Sequence, residues 1–475
     1  MRCEMNLRSF AAVFLVGFVI GFPLVTAPTR WGSNQNGFGA LLGAATLAAL
    51  LLFLRVRSEP LRWTSGPRIA AVLGFVSLVY SLGLLGATYG LLRPDFVFFV
   101  PLSFGVAIML LRPGFLETLI SRKLCLSLTA LVLVTAAACL LTTHQHIALL
   151  GSHNRRTGFL TFLGCVTLFF LVVTFVRSGR TKRWILIAMV CGAALVSLLA
   201  LWQFFDPGGS ARRWFYDLNT DHRPMGTMGQ PNWFGTYLCL LLPLAAAQFL
   251  VARTFAARSV ALCSCALIFA SLLVCQTRGA WVAMACFLAW LAIRHRFAWR
   301  KLLPLFAALA LVATILLPCK NWEIYRRVTT FGKEIDRASE GSPGTGSSRF
   351  GYWIYGFEHL PPHLLIGAGL DTYEEVGAHD ETPPPIDKAH SIYLEYALTL
   401  GLPGLALYLI FLWGCVKHST GTPENLISWG LKASIVTYLI QGLFIHDTIQ
   451  SWPLLWVIAG LAASREAPLP ASLGE

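Results

Sequence analysis

A single arginine, Arg278, separates two apolar runs in the stretch Cys275-Gln276-Thr277-Arg278-Gly279-Ala280-Trp281. Burying an ion at membrane depth costs at least a few kcal/mol. Arg278 therefore belongs at an interface, facing a polar cavity or bound to an anion; snorkelling to headgroups is the plain alternative. Upstream, Arg223-Pro224-Met225-Gly226-Thr227-Met228-Gly229-Gln230-Pro231-Asn232 leads into an apolar run that begins Trp233-Phe234. Its glycines and prolines predict turns. Gln230 and Asn232 would stand at a helix N-terminus, where free backbone N–H groups favour an anion. A simple N-cap at Asn232 is the other reading.

A long polar stretch follows further on. It opens with Asn321-Trp322-Glu323-Ile324-Tyr325-Arg326-Arg327, passes through small residues at 341–348 and reaches Arg349. Residues 350–360 read as a short amphipathic helix with Trp353 and Phe357 on one face. The segment Gly367-Ala368-Gly369-Leu370-Asp371-Thr372-Tyr373 is a glycine-rich turn; no strand precedes it, which rejects a dinucleotide-binding reading. The stretch ends in Lys388-Ala389-His390-Ser391-Ile392-Tyr393-Leu394-Glu395-Tyr396. His390 and Leu394 lie one helical turn apart, as do Ser391 and Glu395. A histidine there can cap the helix, rest at the interface or act as a base near neutral pH.

Arg223, Arg278 and Arg349 together supply guanidinium forks, which match phosphate oxygens in bidentate geometry. His390 can take a hydroxyl proton beside them. The set suits a lipid-linked anion with a reacting centre next to it.

Membrane helices must position these residues. Of the 475 residues, 56% are hydrophobic and only 13% charged, and the mean hydropathy is +0.64. Soluble domains carry about 25% charged residues. A soluble multidomain enzyme and a disordered chain are both excluded. The apolar stretches are continuous rather than alternating, which argues against a β-barrel. A spanning helix needs about 20 apolar residues. The candidates are 9–27, 37–54, 69–90, 94–111, 124–142, 157–176, 184–205, 233–251, 259–276, 279–293, 302–318, 391–415, 424–445 and 448–464. The expected fold is all-α and polytopic, with about 12–14 transmembrane helices and one long outer loop carrying short helices. The first run resembles a signal peptide, but with so many spans behind it a retained first helix is expected.

The net charge of +14 has its reason in the short loops. Arginine and lysine cluster at 55–68, 112–123, 177–183, 253–258 and 294–301, which places those loops and the N-terminus in the cytoplasm. The loop 319–390 is then outside, together with Arg30, Arg93, Arg155, Arg156, Arg212, Arg213, Arg223 and Arg278. All four chemistry-bearing segments fall on that side. No nucleic-acid partner is implied. Most of the twelve cysteines lie in apolar runs, where they act as small hydrophobes. No C-x-x-C pair supports a zinc or redox site.

The segments RPMGTMGQPNWFGTYL, TRGAWVAM, IGAGLDTY and HSIYLEYALTLGLPGLALYL, in this order along the chain, resemble the O-antigen ligase and polymerase superfamily. That superfamily includes lipopolysaccharide O-antigen ligases, polysaccharide polymerases and protein O-oligosaccharyltransferases. The likeness covers roughly residues 160 to 450. It implies N-terminal transmembrane helices over 1–156, a catalytic membrane domain over 157–464 with a periplasmic loop at 319–390, and a short tail at 465–475. It also implies a multi-pass protein of the bacterial inner membrane with its site facing the periplasm.

By the same resemblance the chain is a glycosyltransferase that needs no metal or other cofactor. Its donor would be a glycan on undecaprenyl pyrophosphate; its acceptor would be lipid A-core, a growing polysaccharide or a protein. Arg278 and Arg349 would hold the pyrophosphate, His390 would activate or orient the acceptor hydroxyl, and Arg223 and Asn232 would line the donor site. No D-x-D stands in the outer loops, which fits metal independence. Polymerase and protein glycosyltransferase readings differ from the ligase in acceptor only. A small-solute transporter is the more distant alternative, since it would place ionisable groups at the midplane in paired halves.

Overall fold

In lipid, a long apolar segment can satisfy its backbone by forming an α-helix, since the bilayer core offers no water. The computed structural model describes residues 11–20, 117, 119–152, 155–206, 223–294, 299–319, 324–327, 349–376, 388–418 and 426–464. Among them there are helices and no strand. In chain order they are α1 (Ala11–Ile20), α2 (Arg122–Leu141), α3 (Gln145–Leu150), α4 (Phe159–Phe175), α5 (Gly179–Phe205), α6 (Pro231–Val251), α7 (Phe255–Val274) and α8 (Arg278–Arg294). Next come α9 (Trp299–Leu316), α10 (Arg349–Glu358), a 3₁₀ turn (Pro361–His363), α11 (Tyr373–Val376), α12 (Ile392–Thr399), α13 (Gly401–His418), α14 (Leu426–Gln441) and α15 (Trp452–Ala463). The chain is thus an all-α, multi-pass membrane protein. Six described helices, α2, α5, α6, α7, α9 and α13, are long and apolar enough to cross a bilayer. The candidate spans 37–54, 69–90 and 94–111 lie outside the described residues, as do residues 328–348, 377–387 and the tail 465–475.

Helix α6 is the central post. It packs against α5, α7, α8 and α14, and nearly all its side chains are buried. Close approach depends on small residues, as is common between helices in lipid. A Cβ on Gly430 of α14 would stand 2.5 Å from Ala247 Cβ, and one on Gly235 of α6 would stand 3.0 Å from Ala280 Cβ. A second group joins α4, α13 and α15, where Phe411 stacks on Trp456 and the rings of Phe162 and Phe169 meet this pair edge-on. All seventeen residues of α4 are buried. Leu133, Leu195, Val260, Ile293, Leu311 and Ile410 point outward and exposed, as a lipid-facing surface requires.

The expected span 391–415 is two helices, not one. α12 ends at Thr399, and Gly401 turns the chain with φ +73°. The glycine-rich turn docks into this break: Ala368 and Gly369 donate backbone N–H groups to Leu398 and Thr399, each at 2.9 Å. These bonds satisfy C-terminal carbonyls that would otherwise be orphaned. A Cβ at Gly367 would lie 2.1 Å from the Thr399 carbonyl carbon, so only glycine fits there. The expected span 424–445 likewise ends early, at Gln441, and residues 442–451 form a non-helical connection to α15 that is buried from Ile445 onward.

Candidate functional site

The polar segments gather at one end of the bundle. Thr277 donates its hydroxyl to the Pro231 carbonyl at 2.9 Å and reaches Asn232 Oδ1 at 3.4 Å. Arg223 Nη1 donates to the Gln276 carbonyl at 3.4 Å. The turn before α6 is held from behind by the Gln203 amide, which receives the N–H groups of Met225 and Gly226 and donates to the Gly226 carbonyl. Arg223, Asn232 and Arg278 are thus brought together at the starts of α6 and α8. The helix N-cap is Gln230, one residue before Pro231 at N1, rather than Asn232; proline is pre-organised for that first position.

The start of α8 also touches the α14–α15 connection. A Cβ on Gly279 would come within 2.6 Å of Phe444 Cβ and 3.0 Å of Gln441 Oε1. Two residues further on, the ring of His446 stands edge-on to that of His390, with centroids 5.2 Å apart. On its other side His390 stacks on Tyr352 of α10 at 5.3 Å. Tyr352 is tied in turn through its carbonyl to the Tyr373 hydroxyl at 2.8 Å. Arg349 opens α10 close enough to act on the His390 charge. Arg155 reaches the same ring electrostatically, and its guanidinium lies 5.4 Å from the Trp233 ring centre. It therefore links the α6 side of the site to the histidine side.

Behind His390 is a buried ion triad. Lys388 Nζ lies 2.6 Å from Asp371 Oδ1 and 2.7 Å from Glu395 Oε1. Asp371 Oδ2 accepts the N–H groups of Ser152 and Thr157, at 2.7 and 3.1 Å. Glu395 Oε2 accepts the Ala389 N–H at 3.0 Å. Burial alone would pull the Lys388 ammonium down, but the two carboxylates and their hydrogen bonds outweigh it and raise its pKa. Three separate parts of the chain, Ser152 with Thr157, the glycine-rich turn and the approach to α12, are locked at one point.

That lock holds strained backbone. The described non-glycine residues with positive φ are Arg156 (58°), Gln276 (53°), Asp371 (64°) and His390 (49°). All four lie at this end. Such conformations cost about 1–3 kcal/mol each and persist where surroundings over-determine them. His390 precedes α12 in this left-handed turn, and the N-cap is Ser391. The helix-cap reading of His390 is excluded.

The imidazole is neutral near pH 7. Burial, followed by the charges of Arg349, Arg155 and Lys388, pushes its pKa down to about 4. The amphipathic helix expected at 350–360 is present as α10, but its packed side differs. Gly356 is buried against Leu394 and the Tyr373 hydroxyl, whereas Phe357 is 62% exposed.

Sequence reasoning did not single out His446 or Asp447, and it met Arg155 only as one outer arginine among several. The Tyr396 hydroxyl donates to Asp447 Oδ2. Thr157, Asp371, Lys388, Glu395, Tyr396, His446 and Asp447 are among the residues around a cavity of about 10 Å³, the room that one water needs. The only signal for the pair was a His-Asp dipeptide between two apolar runs.

Against known proteins, the O-antigen ligase family model matches residues 263–409. That window contains Arg278, Arg349, the Gly367–Tyr373 turn, the triad and His390, and it agrees with the superfamily that the motifs resemble. Arg155, Arg223, Asn232, His446 and Asp447 join the cluster from outside it. No curated protein matches the chain.

Proposed function

We propose that this protein is a membrane glycosyltransferase of O-antigen ligase type, acting at the periplasmic face of the bacterial inner membrane. It moves a glycan from undecaprenyl pyrophosphate to an acceptor hydroxyl. The family match supports ligase- or polymerase-type chemistry. The observation that carries the specific reading is His390: a neutral imidazole in a left-handed turn, within reach of the Arg349, Arg155 and Lys388 charges.

In the proposed reaction the acceptor oxygen attacks the anomeric carbon as the bond from that carbon to the pyrophosphate oxygen breaks. The hydroxyl proton moves to His390. The electron pair leaves with the pyrophosphate, whose growing charge meets Arg278 and Arg349, with Arg223 and Asn232 lining the donor site. Preorganised cations in a water-poor site stabilise such charge as an oxyanion hole does. No metal enters the scheme. His390 at a pKa of about 4 is a weak base in the empty site. A bound pyrophosphate offsets the neighbouring positive charge, and the imidazole becomes more basic when the donor is in place.

The acceptor is a lipid A-core, a growing polysaccharide or a protein; the same site serves each. Deleting the gene and profiling envelope glycoconjugates tests the reading. The expected result is loss of one glycoconjugate with accumulation of its lipid-linked glycan. Unchanged glycoconjugates with altered uptake of a small solute would favour the transporter reading instead.

A further inference from the structure

His446 is buried, 2% exposed, and neither ring nitrogen has a hydrogen-bond partner. A buried polar group without a partner costs about 1–3 kcal/mol. A phenylalanine would fill the same space against His390 without that cost. The imidazole therefore needs a reason beyond packing. Its neighbours suggest one. His390 stands on one side with its own Nδ1 buried and unpartnered. Asp447 follows directly in sequence, and the small cavity beside them is lined by both His446 and Asp447.

We propose that His446 acts through His390 as a positioning residue that relays the acceptor proton inward, from His390 to His446 and then through one water in the cavity to Asp447. The inference rests on the glycosyltransferase reading above. After His390 takes the hydroxyl proton on one nitrogen, it carries N–H on both. It then gives the Nδ1 proton to a nitrogen of His446. His446 passes a proton to the bridging water, which gives one to an Asp447 carboxylate oxygen and is regenerated. Only N–H and O–H bonds change. Asp447 ends as a carboxylic acid, His390 ends neutral, and both reset by exchange with solvent between turnovers.

The charges around the pair favour this direction. His446 faces Arg155 from the α3–α4 loop, Lys388 and His390 from the approach to α12, and Arg349 from α10. Burial first, and then these groups, hold its pKa well below the usual histidine range. It can carry a proton only in passing. Asp447 faces Tyr396 and Glu395 on α12 and Lys388 before it, and also Cys165 on α4 and Tyr408 on α13. Burial raises its pKa to about 7, with Glu395 adding to the rise while Tyr396 and Lys388 oppose it. It can therefore both take up and release a proton near neutral pH.

The test compares wild type, His446→Phe, His446→Gln and Asp447→Asn in purified, bilayer-reconstituted protein. Transfer is measured from a polyisoprenyl-pyrophosphate glycan between pH 5 and 8. Wild-type kcat should fall as pH drops through about 7, because a protonated Asp447 cannot accept. His446→Phe should lower kcat by about ten- to a hundredfold, within the range of general-base effects, with donor KM unchanged. Its remaining activity should lose the fall through pH 7 and keep only the decline that belongs to His390's own protonation. His446→Gln and Asp447→Asn should behave alike. Damage to packing alone would lower activity at every pH and leave the slope in place, and that result overturns the relay. So does a His446→Phe variant with wild-type kcat and profile. A wild-type protein that transfers no glycan overturns the glycosyltransferase reading, and the relay with it.

Discussion

Lys388 Nζ lies 2.6 Å from Asp371 Oδ1, which ties the glycine-rich turn to the residue two places ahead of His390. Glu395 completes the triad from the first turn of α12. The contact explains how a histidine outside any helix can be held still. Its strained turn lies between an ion pair and a helix start.

Replacing Lys388 with methionine keeps the volume and leaves two buried carboxylates without their cation. Breaking a buried pair from one side costs about 3–5 kcal/mol. Lys388→Met should therefore lower the thermal unfolding temperature of detergent-purified protein and reduce glycan transfer together. The raised Lys388 pKa means that the triad stabilises the fold below the ordinary lysine pKa. That contribution is lost only as pH rises through the higher folded value, so no loss from this source should be seen between pH 5 and 9.

Arg278 and Arg349 are the proposed pyrophosphate holders. Arg278→Ala and Arg349→Ala should each abolish measurable transfer while the protein still inserts. Losing a charged contact in a desolvated site costs about 2–5 kcal/mol. Arg278→Lys should also be impaired, because an ammonium cannot reproduce the bidentate fork. Donor binding and turnover, measured separately, check this; wild-type transfer by both alanine variants would leave snorkelling as the better account.

His390 has a depressed pKa of about 4, so its ring is neutral throughout pH 5–8. The loss of activity that belongs to its own protonation should appear only as pH falls through that value in the empty enzyme. It should appear at higher pH under saturating donor, where the pyrophosphate offsets the arginines. Profiles of kcat/KM and kcat separate the two. His390→Ala should lose roughly two to four orders of magnitude in rate and still bind donor. An active His390→Gln variant would show a ring that only orients the acceptor.

Arg278 and His390 stand out in the sequence as candidates because an ion or an imidazole between apolar runs is conspicuous. The helical fold was legible for the same reason, since long apolar runs dominate the chain. The break before Gly401 was not, because hydropathy continues across Leu400-Gly401-Leu402; it depends on a distant turn supplying hydrogen bonds. The Asp371–Lys388–Glu395 triad depends on the same tertiary docking. His446 and Asp447 escaped notice because the gap between two apolar runs reads as a tight linker. Their burial follows from the early end of α14, which no periodicity signals.

The most direct measurement is transfer by the purified protein in a bilayer, supplied with a glycan on undecaprenyl pyrophosphate and envelope acceptor material. No divalent metal is added, and a chelator is present. Wild type should form the acceptor–glycan conjugate and release undecaprenyl pyrophosphate in equal amounts, and His390→Ala should form neither at a comparable rate. Equal transfer by wild type and His390→Ala would contradict a reaction centred on His390, and so would transfer that stops when the chelator removes metal.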